Sequence, residues 1–203
     1  MGSVSGKIEG DYKIVKIERG KFMALLQKPA YTVDDIYALP DGQRAELIDG
    51  EMFMMAPPSM IHQKIVTRLS ADINNYIRHK HGDCESFVAP FAVFLNADDK
   101  NYVEPDISII CDKRKLEDRG CNGAPDWIIE VTSPSDPQRD YGIKLFKYRA
   151  AGVREYWIVN PQKNTVTVYD FEKEKRTNQY NFNDDISVCI YNDFIINIDR
   201  LIH

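Results

Sequence analysis

Two acidic side chains lie within neighbouring apolar runs that are typical of β-strands. Asp106 belongs to the run VEPDISII, and Glu130 belongs to DWIIEVTS. A carboxylate in such a β-branched stretch is costly unless a cation or hydrogen bonds compensate its charge. Two carboxylates on adjacent strands offer the hard oxygen ligands that a divalent cation prefers. The pair therefore indicates a metal site, and metal-assisted phosphodiester hydrolysis is the leading hypothesis for its chemistry.

The alternation of side chains along a strand decides whether these acids can meet. In VEPDISII, Asp106 shares a face with Glu104, and in DWIIEVTS Glu130 shares a face with Thr132. If the two strands are neighbours, Asp106 and Glu130 converge at one end of the sheet. A third acid, Glu46, lies in the segment AELIDGE and would join them from a hairpin.

The elements that position these acids are predicted from turn residues and hydrophobic periodicity. YTVDDIYALP predicts a short helix with Thr32 as its N-cap, and Asp49-Gly50 predicts a tight hairpin turn. A long helix from Ser59 to about His81 is predicted by apolar residues at helical spacing, and Gly82 ends it.

The second half of the chain predicts mostly strands. ESFVAPFAVFLN, VEPDISII and DWIIEVTS are strand-like, and CDKRKLEDRGCNG is predicted to be a charged loop between the last two. A helix is predicted from Asp140 to Ala151, followed by a hairpin of REYWIVN and TVTVYDF and by short strands or a final helical turn. This order indicates a mixed α/β domain with one central sheet flanked by helices.

Length and charge limit the function classes. The 203 residues suit one domain, predicted at 30–203, with residues 1–29 as an N-terminal arm. The net charge of −5 excludes a basic nucleic-acid coat protein, so any DNA contact must come from a local basic face. Residues 78–81 and 113–115 carry basic clusters, for which solvated surface is the default interpretation and phosphate contact the alternative.

Cysteine spacing and hydropathy predict a cytoplasmic protein. No two of the four cysteines are spaced as C-x-x-C, so neither a zinc ribbon nor a redox motif is indicated, and four reduced thiols are expected. The charged N-terminus lacks the apolar block of a signal peptide, and no apolar run approaches the length of a membrane span.

An ordered set of motifs resembles one branch of the PD-(D/E)XK nuclease superfamily. The set comprises ELIDGE, His62-Gln63, VEPD, APDWIIEVTSPS, a D-x-x-x-K helix and GVREYW, and it extends from about Tyr31 to Tyr169. Each motif alone is weak, but their order and spacing resemble the large family of bacterial restriction endonucleases with this fold. The resemblance implies a restriction-endonuclease-like core and Mg²⁺-dependent hydrolysis of DNA, with Mn²⁺ as a substitute and a homodimer by analogy.

The resemblance also implies roles for individual residues. Asp106 and Glu130 would bind the metal ion, the backbone carbonyl of Val131 would add a ligand, and Glu46 would complete the acidic cluster. The metal would polarise the scissile phosphate and lower the pKa of a bound water. These expectations define a catalytic set of Glu46, Asp106, Glu130 and one lysine.

The position of that lysine in the sequence departs from the superfamily pattern. The usual E-x-K lysine would stand at position 132, where this chain has Thr132. A cation is still needed to orient the attacking water and to offset phosphoryl charge. Lys144 is the candidate, since it lies on the helix after Glu130 and lysine has a long stem; Lys147, one turn on, is the fallback. Tyr148 shares the helix face of Lys144 and is expected to pack, with its polar tip towards the cleft.

Two neighbouring polar residues on the long helix are further candidates. His62 would hydrogen-bond the phosphate or the acidic cluster, or is an ordinary satisfied helix histidine, and the two interpretations are balanced. Gln63 is a weaker candidate of the same kind. The alternative to an active endonuclease is a catalytically weak or inactive nuclease-fold module that binds nucleic acid; hydrolysis of another phosphoester is disfavoured because no phosphate-cradling glycine loop is present. Lys144 facing the acids would favour the enzyme.

Overall fold

The computed structural model describes residues 30–133, 139–173 and 176–203. The predicted N-terminal arm, residues 1–29, lies outside the described residues. The helices are α1 (Val33–Tyr37), α2 (Met60–His79), α3 (Leu145–Ala151) and α4 (Ile198–Ile202), with a 3₁₀ turn at Lys113–Lys115 and a π-helical turn, Asp140–Lys144, leading into α3.

The strands are short and belong mainly to two six-stranded sheets. In chain order the strands are β1 (Ala45–Ile48), β2 (Glu51–Met54), β3 (Glu85–Val88), β4 (Val93–Phe94), β5 (Tyr102–Val103), β6 (Ile107–Ile110), β7 (Leu116–Glu117), β8 (Gly120–Asn122), β9 (Trp127–Val131), β10 (Glu155–Asn160), β11 (Thr165–Asp170), β12 (Arg176–Asn181), β13 (Ile186–Ser187) and β14 (Ile195–Ile196). The main sheet has the order β12-β11-β10-β9-β6-β3, and the second sheet has the order β2-β1-β5-β4-β8-β7.

The predicted mixed α/β class is confirmed, but the single central sheet is divided in two. Two segments predicted as continuous strands each contribute to both sheets. ESFVAPFAVFLN separates into β3 and β4 around Pro90, and VEPDISII separates into β5 and β6 around Pro105. Proline has no N–H for a strand ladder, so pairing stops at these positions.

The local predictions around the first hairpin and the long helix are confirmed. Asp49 and Gly50 both have positive φ, as a tight hairpin turn requires, and they join β1 to β2. Ser59 caps α2 through a hydrogen bond from the His62 N–H to its Oγ at 3.3 Å. The cap fixes His62 in the first turn of α2.

Strand β9 is buried on both faces, because α2 packs against one face of the main sheet and α3 packs with residues of the second sheet against the other. Trp127 and Ile129 point into a core with the apolar stripe of α2, which includes Ile65 and Leu69. Ile128 points to the opposite face and packs in a second core below α3. Glu130 therefore lies in a strand that is almost entirely removed from water.

The predicted charged loop between β6 and β9 contains an additional hairpin. Residues 111–123 include the 3₁₀ turn, β7 and β8, and β8 pairs in parallel with β4. Gly120 makes this approach feasible, since it has φ of +136° and a Cβ there would lie 2.2 Å from the carbonyl oxygen of Ala92. The sequence prediction missed this pairing because two- and three-residue strands leave little periodicity.

The prediction of four reduced thiols is wrong for one pair. Cys84 and Cys111 form a disulfide, while Cys121 and Cys189 are free. Cys84 precedes β3 and Cys111 follows β6. The antiparallel register of these strands pairs Glu85 with Ile110, so the two cysteines are cross-strand neighbours. A sequence separation of 27 residues gives no sign of this register.

Alkylation under non-reducing conditions tests the disulfide. The denatured, unreduced protein should take up label at two cysteines, and prior reduction should raise this to four, as measured by intact mass. Replacing both Cys84 and Cys111 by serine should lower the free energy of unfolding by about 2–4 kcal/mol, the usual effect of a native disulfide. Labelling of four cysteines without reduction would contradict the bond. Replacing the free Cys189 by serine is the control for labelling.

No helix within the described residues has the length and apolar character needed to cross a bilayer.

Candidate active site

The predicted acids meet in one cavity of about 440 Å³ where the two sheets approach the N-terminus of α2. Glu46 comes from β1 of the second sheet, Glu130 from β9 of the main sheet, and Asp106 from the bend just before β6. The π-helical turn supplies Lys144. The structure therefore brings the four residues of the predicted catalytic set to the same cavity.

Asp106 is held by two donors on one carboxylate oxygen. Its Oδ2 accepts a hydrogen bond from the backbone N–H of Val131 at 2.7 Å, and the Nε2 atom of His62 lies 3.0 Å from the same oxygen. The side chain keeps about 16% of its surface exposed, towards the cavity. Asp106 thus combines a fixed orientation with access to solvent.

Glu130 is buried and also receives two donors on one oxygen. Its Oε1 accepts from the Nζ of Lys144 at 2.9 Å and from the hydroxyl of Tyr148 at 2.6 Å. Burial raises the pKa of Glu130 to about 8, although the charge of Lys144 opposes this. Burial and the carboxylate together raise the pKa of the Tyr148 hydroxyl well above its usual value, so it remains a donor.

Lys144 connects the acids from the two sheets. Its Nζ lies 2.8 Å from Glu46 Oε2, 2.9 Å from Glu130 Oε1 and 3.9 Å from Asp140 Oδ1. Burial alone would lower the pKa of this amine, but the three surrounding carboxylates outweigh it and raise the pKa above its ordinary value. The side chain is therefore an ammonium ion at neutral pH.

Two carboxylates of the cavity, rather than three, could hold a divalent cation such as Mg²⁺. Within the described ranges, no group of three His, Cys, Asp or Glu residues is placed to hold a metal ion. Glu46 directs both oxygens at Lys144 and accepts a further hydrogen bond from the Glu104 N–H at 3.1 Å. Asp106 and Glu130 remain, and Mg²⁺ commonly uses one or two carboxylates together with waters and substrate phosphate oxygens.

The backbone of Val131 is oriented to add a ligand. Its N–H points at Asp106, whereas the next N–H, of Thr132, points the other way and bonds the Val159 carbonyl at 2.9 Å. In a strand, the N–H and C=O of one residue point to the same side. The Val131 carbonyl therefore faces Asp106, and Val131 lines the cavity.

The remaining predicted residues are divided by the structure. His62 and Gln63 line the cavity. Tyr148 is not part of the lining, but its hydroxyl hydrogen-bonds Glu130. Thr132, at the position of the missing E-x-K lysine, is buried and is not part of the lining. Lys147, the fallback cation, pairs with Asp49 outside the cavity.

Four charged residues that line the cavity, Arg44, Glu104, Arg139 and Asp140, have no role predicted from the sequence. Arg44 donates its Nε to Glu104 Oε2 at 2.8 Å, and Asp140 lies one turn before Lys144. Arg44 stands two residues before Glu46, so strand alternation was a signal for it. The D-x-x-x-K spacing was a signal for Asp140, and the predicted strand face shared with Asp106 was a signal for Glu104.

Three residues of the two basic clusters lie in ion pairs on the surface. Lys80 pairs with Asp193, Lys113 lies 3.4 Å from Glu85, and Arg114 lies 2.8 Å from Asp112. These contacts agree with the default interpretation of solvated surface charge.

Comparison with known proteins identifies the family. The family model Uma2, described as "Putative restriction endonuclease", matches residues 33–195, which is most of the chain. The chain belongs to the Uma2 family. The match covers every element that contributes to the cavity. The description of the Uma2 family agrees with the predicted nuclease superfamily.

Two known proteins are similar to this Uma2 chain. An uncharacterized protein of Synechocystis sp. is 28% identical over 128 residues, which are 63% of this chain and 66% of that protein. The match thus spans slightly under two thirds of the relative's length. The crystal structure of a "putative nuclease belonging to DUF820" from Anabaena variabilis superposes with a TM-score of 0.68 at 22% identity, over 84% of this chain and 97% of the other. That similarity supports the nuclease-like fold.

The titration of Asp140 gives a test of the charge cluster in metal-free protein. Burial raises the pKa of Asp140 from 3.8 to about 6, with Lys144 opposing. Because the pKa of Asp140 is higher in the folded than in the unfolded protein, protonation of Asp140 stabilises the folded state. This contribution is fully present below about pH 4 and is lost as the pH rises through about 6. Asp140→Asn removes this titration. The free energy of unfolding of the variant should therefore rise relative to wild type between pH 4 and pH 6, and the difference should then be level.

Urea unfolding at several pH values in chelator measures this difference. Asp41→Asn, in an exposed turn after α1, is the control for removing one negative charge. A difference for Asp140→Asn that is constant from pH 4 to pH 7, or that falls, would contradict the prediction.

Proposed function

We propose that this protein is a Mg²⁺-dependent endonuclease that hydrolyses DNA phosphodiester bonds. The observation that carries the proposal is the placement of Lys144, whose ammonium lies 2.9 Å from Glu130 in the cavity that Asp106 also lines. A buried lysine beside two acids provides the cation that the chain lacks at Thr132. Membership of the Uma2 family supports a nuclease, and the DNA and metal specificities belong to the proposal.

The residues of the chain have separable tasks in this mechanism. Asp106, Glu130 and the Val131 carbonyl would hold the metal ion, which when bound would offset phosphate charge and lower the pKa of a water ligand. An ammonium has three donors. Glu46 and Glu130 fix the direction of Lys144, whose three donors meet three carboxylate oxygens, so the ammonium would act on the attacking water or a phosphoryl oxygen through its charge or by exchanging one of these contacts.

Charge balance in the cavity agrees with a cationic cofactor. The acids Glu46, Glu104, Asp106, Glu130 and Asp140 line it together with the bases Arg44, Arg139 and Lys144. The lining therefore holds an excess of two acidic side chains over basic ones. A divalent cation would neutralise this excess, and it would then permit a phosphate diester to approach.

The experiment is cleavage of supercoiled plasmid by the purified protein with Mg²⁺, with Mn²⁺ and with chelator. Nicking or linearisation that requires the metal, and that is lost in Glu130→Gln, is the expected result. Metal-independent cleavage, or equal cleavage by Glu130→Gln, would overturn the assignment. Lys147→Met, outside the cavity, is the matched control for protein preparation.

A second candidate is a module that binds nucleic acid without cleaving it. Its supporting observation is that Lys144 is already paired with two carboxylates and that, in the part of the chain the structure describes, no cluster of three metal-binding side chains exists. This module would shift plasmid or oligonucleotide DNA in a gel and would leave it intact with either metal.

A further inference from the structure

His62 contacts one of the proposed metal ligands from the first turn of α2. Its Nε2 lies 3.0 Å from Asp106 Oδ2, and the imidazole side chain is only 10% exposed. An ionised carboxylate has acceptors and no proton to donate. In this contact Nε2 must therefore be the protonated ring nitrogen, and His62 is the donor.

The contact determines which oxygen of Asp106 faces the cavity. Oδ2 accepts from His62 and from the Val131 N–H, and the hydrogen bonds that the described residues give Asp106 go to this oxygen. Two donors at one oxygen restrict rotation of the carboxylate. The other oxygen, Oδ1, accepts no hydrogen bond from the described residues and can therefore bind a cation. Glu130 has the same arrangement, with Lys144 and Tyr148 donating to Oε1.

The second ring nitrogen of His62 argues against a role in stability alone. Nδ1 is buried and finds no hydrogen-bond partner among the described residues. A buried polar atom without a partner is unfavourable, and an apolar side chain on α2 would avoid it. The contact with Asp106 therefore explains a histidine at this position better than packing does.

We propose that His62 is a positioning residue that holds Asp106 with Oδ1 directed into the cavity and thereby strengthens binding of a divalent cation. The inference rests on the proposed function, since it uses the same metal ligands. It assigns to the long helix a part in metal binding that is separate from its packing in the core. Hydrogen bonds from neighbouring residues to a ligating carboxylate commonly change metal affinity 10- to 100-fold, at the order-of-magnitude level.

The experiment measures Mn²⁺ affinity directly, by electron paramagnetic resonance of free Mn²⁺, alongside the Mg²⁺ dependence of plasmid cleavage. His62→Ala should weaken Mn²⁺ binding by about 10- to 100-fold and shift the Mg²⁺ activation curve by a similar factor. At saturating metal, kcat should recover most of its value, because the position of the ligand and not the chemistry has changed. KM for DNA at saturating metal should change little.

Conservative replacement separates positioning from folding. The amide nitrogen of His62→Gln can take the place of Nε2 as donor, so this variant should recover much of the Mn²⁺ affinity. His62→Phe keeps a planar ring without a donor and should resemble the alanine variant. His79→Gln is the matched control, because His79 is exposed in the last turn of the same helix. Thermal unfolding of each apo variant confirms that the folded protein is compared.

The outcomes distinguish this inference from the proposed function. If wild type binds Mn²⁺ and cleaves DNA but His62→Ala and His62→Phe bind Mn²⁺ equally well, the positioning role is overturned and the nuclease stands. If His62→Ala raises KM for DNA and leaves Mn²⁺ affinity unchanged, His62 contacts substrate instead. If wild type binds Mn²⁺ without cleaving, the nuclease fails, and the affinity series still decides the role of His62. Wild type without Mn²⁺ affinity overturns both.

Discussion

Replacing Lys144 by methionine should abolish metal-dependent cleavage and also destabilise the fold. The substitution keeps the length of the side chain but removes the ammonium that lies between Glu46 and Glu130. Breaking a buried ion pair by removing one partner typically costs about 3–5 kcal/mol. Loss of one preorganised electrostatic contact to the transition state typically lowers kcat about 10²- to 10³-fold. Urea unfolding and plasmid cleavage measure the two effects.

Lys147→Met is the matched control for this experiment. Lys147 lies one turn further on and pairs with Asp49 outside the cavity. A contact of this kind contributes little, about 0–1 kcal/mol for an exposed pair. The control should therefore retain cleavage and nearly all of its stability. If instead Lys147→Met lost activity and Lys144→Met kept it, the cationic role would belong to Lys147.

The stability loss of Lys144→Met should depend on pH. Burial already raises the pKa of Glu130 to about 8, and removal of the ammonium takes away the charge that opposes this rise. At acidic pH the acids can protonate and the variant should be closest to wild type. The loss should grow as the pH rises above about 8, because Glu130 then ionises beside Lys144 in wild type but keeps its proton in the variant.

Replacing Asp106 by asparagine should abolish divalent-cation binding while leaving the fold intact. The amide keeps the shape of the carboxylate and one acceptor oxygen, and the side chain is partly exposed to the cavity. Loss of a charged metal ligand should exceed the 10- to 100-fold effect of a neighbouring hydrogen bond, so Mn²⁺ affinity and cleavage should fall by about a hundredfold or more. The unfolding midpoint in chelator should change little.

Asp112→Asn is a suitable control for the Asp106 variant. Asp112 lies in a surface ion pair with Arg114 and does not line the cavity. Mn²⁺ titration of the two variants should give a large loss for Asp106→Asn and none for Asp112→Asn. Equal Mn²⁺ affinity of Asp106→Asn and wild type would remove Asp106 from the ligand set.

Local signals were sufficient to predict the main elements of the site. Glu130 was identified by an acid in an apolar run, and the structure places it in β9, buried on both faces. Asp49-Gly50 predicted the hairpin that carries Glu46. Each of these signals involves residues that are close in sequence, where turn preference and periodicity determine the structure.

Non-local contacts were not accessible in the same way. Strand alternation predicted that Asp106 converges with Glu130, and both side chains do line the cavity. Asp106 itself, however, lies in a bend beside Pro105, just before β6 begins. The Cys84–Cys111 bond depends on the register of β3 and β6. The pairing of Arg44 with Glu104 joins residues 60 positions apart. Such contacts depend on strand register and on how the two sheets are arranged, neither of which local patterns in one sequence reveal.

Because Lys144 joins an acid of the second sheet to an acid of the main sheet, catalytic competence and global folding are expected to be inseparable. Partial opening between the layers would leave Glu46 on one side and Glu130 on the other. Enzymatic activity should then disappear along the same denaturant curve as tryptophan fluorescence, with no earlier transition. A fragment that lacks the first hairpin would be inert even where the remaining layer stays folded.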